Sequence, residues 1–452
     1  MAVLRSRFLF WLLKAYVKKW GKQFILFFII GFIIFLLLIR FSPFIISQIP
    51  TQNRRIVGVS GVYSTSEIPS FIVSKVSDGL TKLTPDGKVL PNLATSWKIE
   101  NNGKKYTFFL SKNINYTDGT KFTSKTIPYT FKDVSIERPD DYTITFSLKD
   151  AYAPFLVTVS KPIFYKGYIG TGKFILNNIE LNGNFIKSIQ LVSSNNKFQS
   201  EEYIFYPTEE SLKIAFALGE VTDAVGINDP KLLKSNIELY SSIITEKKPD
   251  FTTLITLFFN TEDPVLSDKK WRSGLTYALP SEFKNGVRVY TPYPPNSFYF
   301  NDTFMDKSQD ITHAKVLIES AMETASSEAP LLKMKVLKKY TTTAKEIVEQ
   351  WRKVGIKADI EEVSTIPDSF QIYLGDFNVP RDPDQYSLWH SNQVNNITRF
   401  KNLRIDKLLE DGRRNVDLTD RLQIYTDFQK YLIDESPAAF LYFPITYTFK
   451  RN

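Results

Sequence analysis

Apolar and polar positions along this chain alternate in short runs broken by turn signals, most clearly over residues 76–122. Pro85-Asp86-Gly87, Asn101-Asn102-Gly103 and Asp118-Gly119 supply the positive-φ positions that tight turns need. Between them, residues 104–110 alternate with period two, and this predicts a half-buried strand with Tyr106, Phe108 and Leu110 on one face. Residues 56–255 read mainly as strands in the same way. From 256 to 434 strands alternate with helical periodicity, as at 313–324 and 342–354, where Gly355 to Ile360 then turns into a strand. The pattern predicts an α/β chain with its β-rich half first.

One stretch is of another kind. Seventeen residues between Lys22 and Arg40 carry no charge. At ~1.5 Å rise each they span about 25 Å, and residues 41–46 extend the run if the Arg40 head group snorkels. The competing reading is a cleaved signal peptide, but the run is longer than a usual h-region and no small-x-small cleavage site follows. The expectation is an uncleaved transmembrane helix over 23–46. A basic cytoplasmic segment (1–22) precedes it and a polar linker (47–55) follows. Arg7, Lys14, Lys18, Lys19 and Lys22 ahead of the helix predict a cytoplasmic N-terminus and an extracytoplasmic C-terminal domain.

The net charge of +9 changes meaning once it is placed. Residues 1–55 hold nine basic residues and no acidic one, which leaves 48 basic against 48 acidic in the remainder. The charge belongs to the membrane region, and nucleic acid is not an implied partner. With no cysteine, disulfides, thiol catalysis and thiolate metal sites are excluded together. At 452 residues the chain exceeds what one core supports, so two or more lobes are expected.

Catalytic chemistry finds little to use. The two histidines, His313 and His390, have no second histidine at i+3 or i+4, so no metal pair is set up. No G-x-S-x-G, P-loop or G-x-G-x-x-G occurs. Asp382 and Asp384 could form a carboxylate pair for glycoside cleavage, but D-P-D in a loop is more often turn chemistry. Neither an enzyme nor a cofactor is implied.

The order of the short words carries more. Gly79-Leu80, Asp86-Gly87, Pro91-Asn92-Leu93-Ala94-Thr95-Ser96-Trp97, Gly103, Tyr106 to Leu110, Asp118-Gly119 and Phe122-Thr123 follow one another. Further on come Gly170-Thr171-Gly172-Lys173-Phe174, Ala217-Leu218-Gly219-Glu220 and Phe259-Asn260-Thr261. Trp271 to Leu279, Asp382-Pro383-Asp384 and Trp389-His390-Ser391 complete the series. This series resembles the family 5 extracellular solute-binding proteins, which include the oligopeptide-, dipeptide- and nickel-binding receptors of ABC importers. The resemblance covers roughly residues 56–450.

It implies a two-lobed, periplasmic-binding-protein-like fold with a hinge. Lobe I would be 56–258, including a subdomain at about 76–160, and lobe II 259–434, with 435–452 returning to lobe I. Phe259-Asn260-Thr261 would be one hinge crossing. The family's helical insert after the F-T word is missing here, so the subdomain is expected to be reduced. The chain ends at Asn452, where the family normally continues. The resemblance also places Asn260, Asp382, Asp384, Tyr386, Trp389 and His390 at the interlobe cleft. There an acidic residue just before D-P-D can hold a ligand's ammonium group. Here the preceding residues are Asn378-Val379-Pro380-Arg381, with no acid nearer than Asp376.

The function implied is a membrane-anchored, extracytoplasmic receptor that captures peptide or another small solute for an ABC permease and its ATPase. The alternative is a surface sensor or adhesion module of the same fold without transport coupling.

Overall fold

The computed structural model describes residues 8, 10, 11, 14–23, 25–33, 35, 53–232, 235–303, 308–325 and 329–451. The chain divides into two units, Met1–Arg54 and Arg55–Asn452. In the first, the described residues between 8 and 35 are helical, and their large apolar side chains stand exposed, as at Phe27, Phe28 and Ile33. No helix among the described residues is long and apolar enough to cross a membrane. Of the span expected at 23–46, positions 24, 34 and 36–46 lie outside the described residues, as do linker positions 47–52.

The second unit is built on a twelve-stranded sheet. Its axis is the strand Ala438–Arg451, which serves two halves of the molecule. The first half of this strand pairs antiparallel with Thr253–Phe259, with Ile255 opposite Tyr442, and with Gly286–Arg288. Outward from Thr253–Phe259 lie Ile372–Asn378, Leu331–Leu337 and Lys357–Val363, the last two parallel to each other. A helical crossover joins these parallel strands, as parallel pairing requires. Thr341–Arg352 is the crossover between them and Ile311–Ala325 leads into Leu331–Leu337, close to the expected 342–354 and 313–324. Gly355, at φ +80°, ends the crossover helix and lets the chain turn into its strand. This half is lobe II. Its helix-side core gathers around Trp351, whose Nε1 donates to the Leu275 carbonyl at 3.0 Å.

The second half of Ala438–Arg451 pairs with Ile243–Pro249 and Asp223–Ile227. Asp223–Ile227 runs parallel to Asn53–Ser60, and Gln199–Tyr206, Phe185–Ser193 and Phe174–Asn182 follow outward. This half is lobe I. Sheet membership therefore moves the crossing upstream of its expected place. The chain passes between lobes at Asp250, Phe251 and Thr252, where Asp250 Oδ1 accepts the Thr252 N–H at 3.0 Å. Phe259, Asn260 and Thr261 instead donate their N–H groups to Pro437, Gln371 and Thr398, all in lobe II. The two crossings lie side by side, because the Asp250 N–H donates to the Pro444 carbonyl at 2.8 Å.

A separate four-stranded sheet forms the subdomain, in the order Ala94–Glu100, Lys105–Leu110, Thr143–Leu148, Val134–Asp140. Tyr106, Phe108 and Leu110 are buried on one face, as the alternation predicts. Phe108, Phe146 and Phe155 pack their rings with centroids 5.1–6.5 Å apart. After Thr123 the chain makes only a 3-10 turn, Ser124–Thr126, before Val134–Asp140. The subdomain joins lobe I closely: a Cβ on Gly170 would lie 2.0 Å from the Val76 carbonyl, so only glycine fits there.

Candidate functional site

The subdomain meets lobe II through a hairpin tip. Thr81–Leu83 and Val89–Pro91 pair antiparallel, and Thr84 to Lys88 closes the turn with Gly87 at φ +91°. The Gly87 N–H donates to the Thr84 carbonyl at 3.0 Å. The Thr84 hydroxyl, and then Lys88, hold the Asp86 carboxyl below its ordinary value. The backbone of this tip is bound from lobe II by Asn296 and Phe298. Asn296 Nδ2 donates to the Pro85 carbonyl at 2.8 Å, and the Phe298 N–H donates to the Asp86 carbonyl at 3.1 Å. A second bridge runs from the Ala153 N–H to the Arg413 carbonyl at 2.8 Å.

Behind the tip lies Asp382-Pro383-Asp384. Each aspartate caps its own turn: Asp382 Oδ1 accepts the Asp384 N–H, and Asp384 Oδ1 the Tyr386 N–H, both at 3.0 Å. Each also pairs with an arginine. Arg421 Nη2 lies 2.7 Å from Asp382 Oδ1, with both side chains at or below 10% exposure. Burial alone would lower the Arg421 guanidinium, but the Asp382 carboxylate raises it above its ordinary value. Arg413 donates to Asp384 Oδ2 from Nε and Nη2, each at 2.8 Å. Burial lifts the Asp384 carboxyl above the usual carboxylate value, against the opposing pull of Arg413.

Two cavities flank Pro383, each of about 310 Å³ and each bounded by both lobes. The first is walled by the hairpin tip, by Phe251 and Thr252 at the crossing, and by Ser297, Val379 and Arg381 of lobe II. The second lies on the other side of Gly87 and Pro383, with Asp382 and Arg421 in its wall. A volume of this order suits a small ligand held between walls.

Among the six residues expected at the cleft, Asp382 borders one of these interlobe cavities, with its carboxylate already paired. Asp384 is buried against Arg413. Tyr386 sits between the Arg413 guanidinium, 4.1 Å from its ring centre, and the His390 ring at 4.2 Å. His390 is 4% exposed, with Nε2 3.4 Å from Glu410 Oε1 and Nδ1 accepting the Asn392 N–H at 3.2 Å. Trp389 is packed in lobe II at 2% exposure, among Phe258, Phe377 and Phe440, with Nε1 donating to Gln385 Oε1 at 2.8 Å. It borders a smaller cavity, of about 160 Å³, inside that lobe. Asn260 holds loops together: Nδ2 donates to the Phe370 carbonyl and Oδ1 accepts the Glu262 N–H. The first interlobe cavity is walled mainly by the hairpin tip and by Pro294, Asn296 and Ser297. A proline-rich run between two aromatics was the available signal for that loop. Among the described residues no group of three or more His, Asp or Glu could hold a metal ion.

Residues 88–398 match the model of bacterial extracellular solute-binding proteins, family 5 Middle. The chain belongs to that family. Among curated relatives it is 24% identical to the oligopeptide-binding protein AppA of Bacillus subtilis, over 85% of this chain and 84% of that one. It is 22% identical to the probable D,D-dipeptide-binding periplasmic protein DdpA of Escherichia coli, over 78% of each. Of solved structures, the ABC transporter substrate-binding protein CtaP of Listeria monocytogenes superposes with a TM-score of 0.73 at 20% identity, covering 89% of this chain and 94% of that one. Bacillus subtilis AppA in complex with a nonapeptide gives 0.67 at 19% identity, covering 89% and 95%. This family member thus has the mixed α/β, two-lobed fold of periplasmic binding proteins.

Proposed function

We propose that the chain is a membrane-tethered, extracytoplasmic receptor that captures peptides by closing two lobes and delivers them to an ABC permease and its ATPase. The observation that carries this reading is the pair of interlobe cavities beside Pro383, the first of them walled by Phe251 and Thr252 at the strand crossing. A rotation at Asp250 to Thr252 and near Pro444 opens or closes both cavities at once, which is hinge motion. Closing expels water and strengthens each polar contact to the ligand. Peptide is the ligand class supported by the relatives, whose names specify an oligopeptide, a D,D-dipeptide and a bound nonapeptide. An extended backbone offers regular hydrogen-bond partners whatever its side chains.

A carboxylate grip on the peptide's ammonium group is not part of the proposal. The nearest acid upstream of Asp382 is Asp376, which accepts from the Lys339 ammonium and the Tyr340 hydroxyl. The tether is residues 23–46. Its described part is helical with exposed apolar side chains, an arrangement suited to lipid.

Small-angle scattering of the Arg55–Asn452 unit tests the closure. A saturating pool of short peptides is expected to shift the population toward a smaller radius of gyration. Heat of binding without any change in the scattering curve would count against closure, and no heat of binding would count against a peptide ligand.

A further inference from the structure

The two interlobe cavities differ in chemistry. The second is walled by Leu90, Trp97, Leu156 and Val157 of lobe I and by Val416 and Leu418 of lobe II. Leu90, Val416 and Leu418 remain 40%, 36% and 52% exposed. Apolar side chains thus face each other across a gap without covering one another. The charged groups in its wall are already used. Arg421 gives Nη2 to Asp382 Oδ1, Nε to the Gly412 carbonyl at 2.9 Å and Nη1 to the Tyr299 hydroxyl at 3.3 Å. Lys88, at the rim, pairs with Asp86 at 3.0 Å. Such a cavity has no net charge to offer a charged group, and apolar area to offer an uncharged one. It adjoins the first cavity, since Gly87 and Pro383 line both. A Cβ at position 87 would lie 3.6 Å from the Arg381 carbonyl oxygen, so a side chain there would stand on that shared rim.

We propose that the second cavity is a subsite for one apolar side chain of a peptide whose backbone lies in the first cavity. The inference rests on the peptide-receptor reading above and adds the specificity: an aliphatic or aromatic residue at one fixed position of the ligand. The shared rim sets that position, because the peptide must pass Gly87 and Pro383 to place a side chain there. Hydrophobic burial between Leu90 and Leu418 then discriminates by size and polarity.

The test is titration calorimetry of the full chain in detergent with tetra-alanine and its single-leucine variants. One variant should bind about tenfold or more tighter than tetra-alanine, the effect of burying the added methylenes and methyls. Val157→Trp and Leu418→Trp each fill the cavity, from opposite lobes, and either should reduce that preference below about threefold. Melting curves establish that the variants are folded. Should both fail to fold, tryptophan emission decides: the preferred leucine peptide should shift it in the unmodified chain but not in Trp97→Phe. Retention of the full preference in a folded, filled variant would overturn the subsite, as would an emission change unaffected by Trp97→Phe. Peptide binding with no leucine preference at any position would remove the subsite alone. No binding of any of these peptides would remove the peptide-receptor reading, and the subsite with it.

Discussion

Arg421→Met breaks the most enclosed ion pair at the cleft and leaves a definite deficit. Asp382 loses two donors, Nη2 at 2.7 Å and Nη1 at 3.3 Å, and keeps the Asp384 N–H at 3.0 Å. The Gly412 carbonyl and the Tyr299 hydroxyl lose a partner as well. A carboxylate about one-tenth exposed is then left without its counter-charge, and removing one member of such a pair costs about 3–5 kcal/mol. Asp382→Leu should cost a similar amount, by stranding the guanidinium. The double variant Asp382→Leu with Arg421→Met removes both charges and should lose only about 1–2 kcal/mol, chiefly the turn cap of Asp382. Urea unfolding of the Arg55–Asn452 unit measures all three. The coupling energy of the cycle should exceed about 2 kcal/mol. Single losses below about 1 kcal/mol, or a double loss equal to the sum of the singles, would show that the two charges do not depend on each other.

Trp389→Ala should lower the stability of lobe II by about 3–5 kcal/mol, as removal of an enclosed aromatic ring does, and leave peptide affinity per folded molecule unchanged. Paired unfolding and calorimetric titration of one preparation check both halves. Asp384 gives a pH signature. Its carboxyl is raised by burial, so the folded state holds the proton more tightly than the unfolded state does. The stability it contributes is complete below the unfolded value of ~3.9 and is lost as pH rises through the folded value. The stability of the unmodified protein relative to Asp384→Asn should therefore fall across that window and stay level above it, as unfolding at stepped pH will show.

Local periodicity made the elements legible. Tyr106, Phe108 and Leu110 alternate inward, and the helices at 311–325 and 341–352 lie where the apolar spacing puts them, because neighbours in sequence decide both. The crossing was not legible. Whether Thr253–Phe259 belongs to lobe I or lobe II depends on its pairing with Ile372–Asn378 and Ala438–Arg451, more than a hundred residues away. The candidate site was partly legible for a related reason. Asp382 and Trp389 look like binding residues by type, but Arg421 and a cage of phenylalanines, distant in sequence, had prior use for them. The hairpin tip at Gly87 was visible as a turn, yet its partner loop at Asn296 and Phe298 was not, since no local pattern says which turn meets which loop.

Enclosure of a peptide by two lobes is the step on which the proposed function rests. Native mass spectrometry of the Arg55–Asn452 unit, purified from cells without a denaturing step, tests it most directly. Ions heavier than the bare chain are expected, with an added mass that is released on activation and sequences as peptide. Ions at the bare mass alone, unchanged after incubation with a mixed peptide pool, would contradict that enclosure.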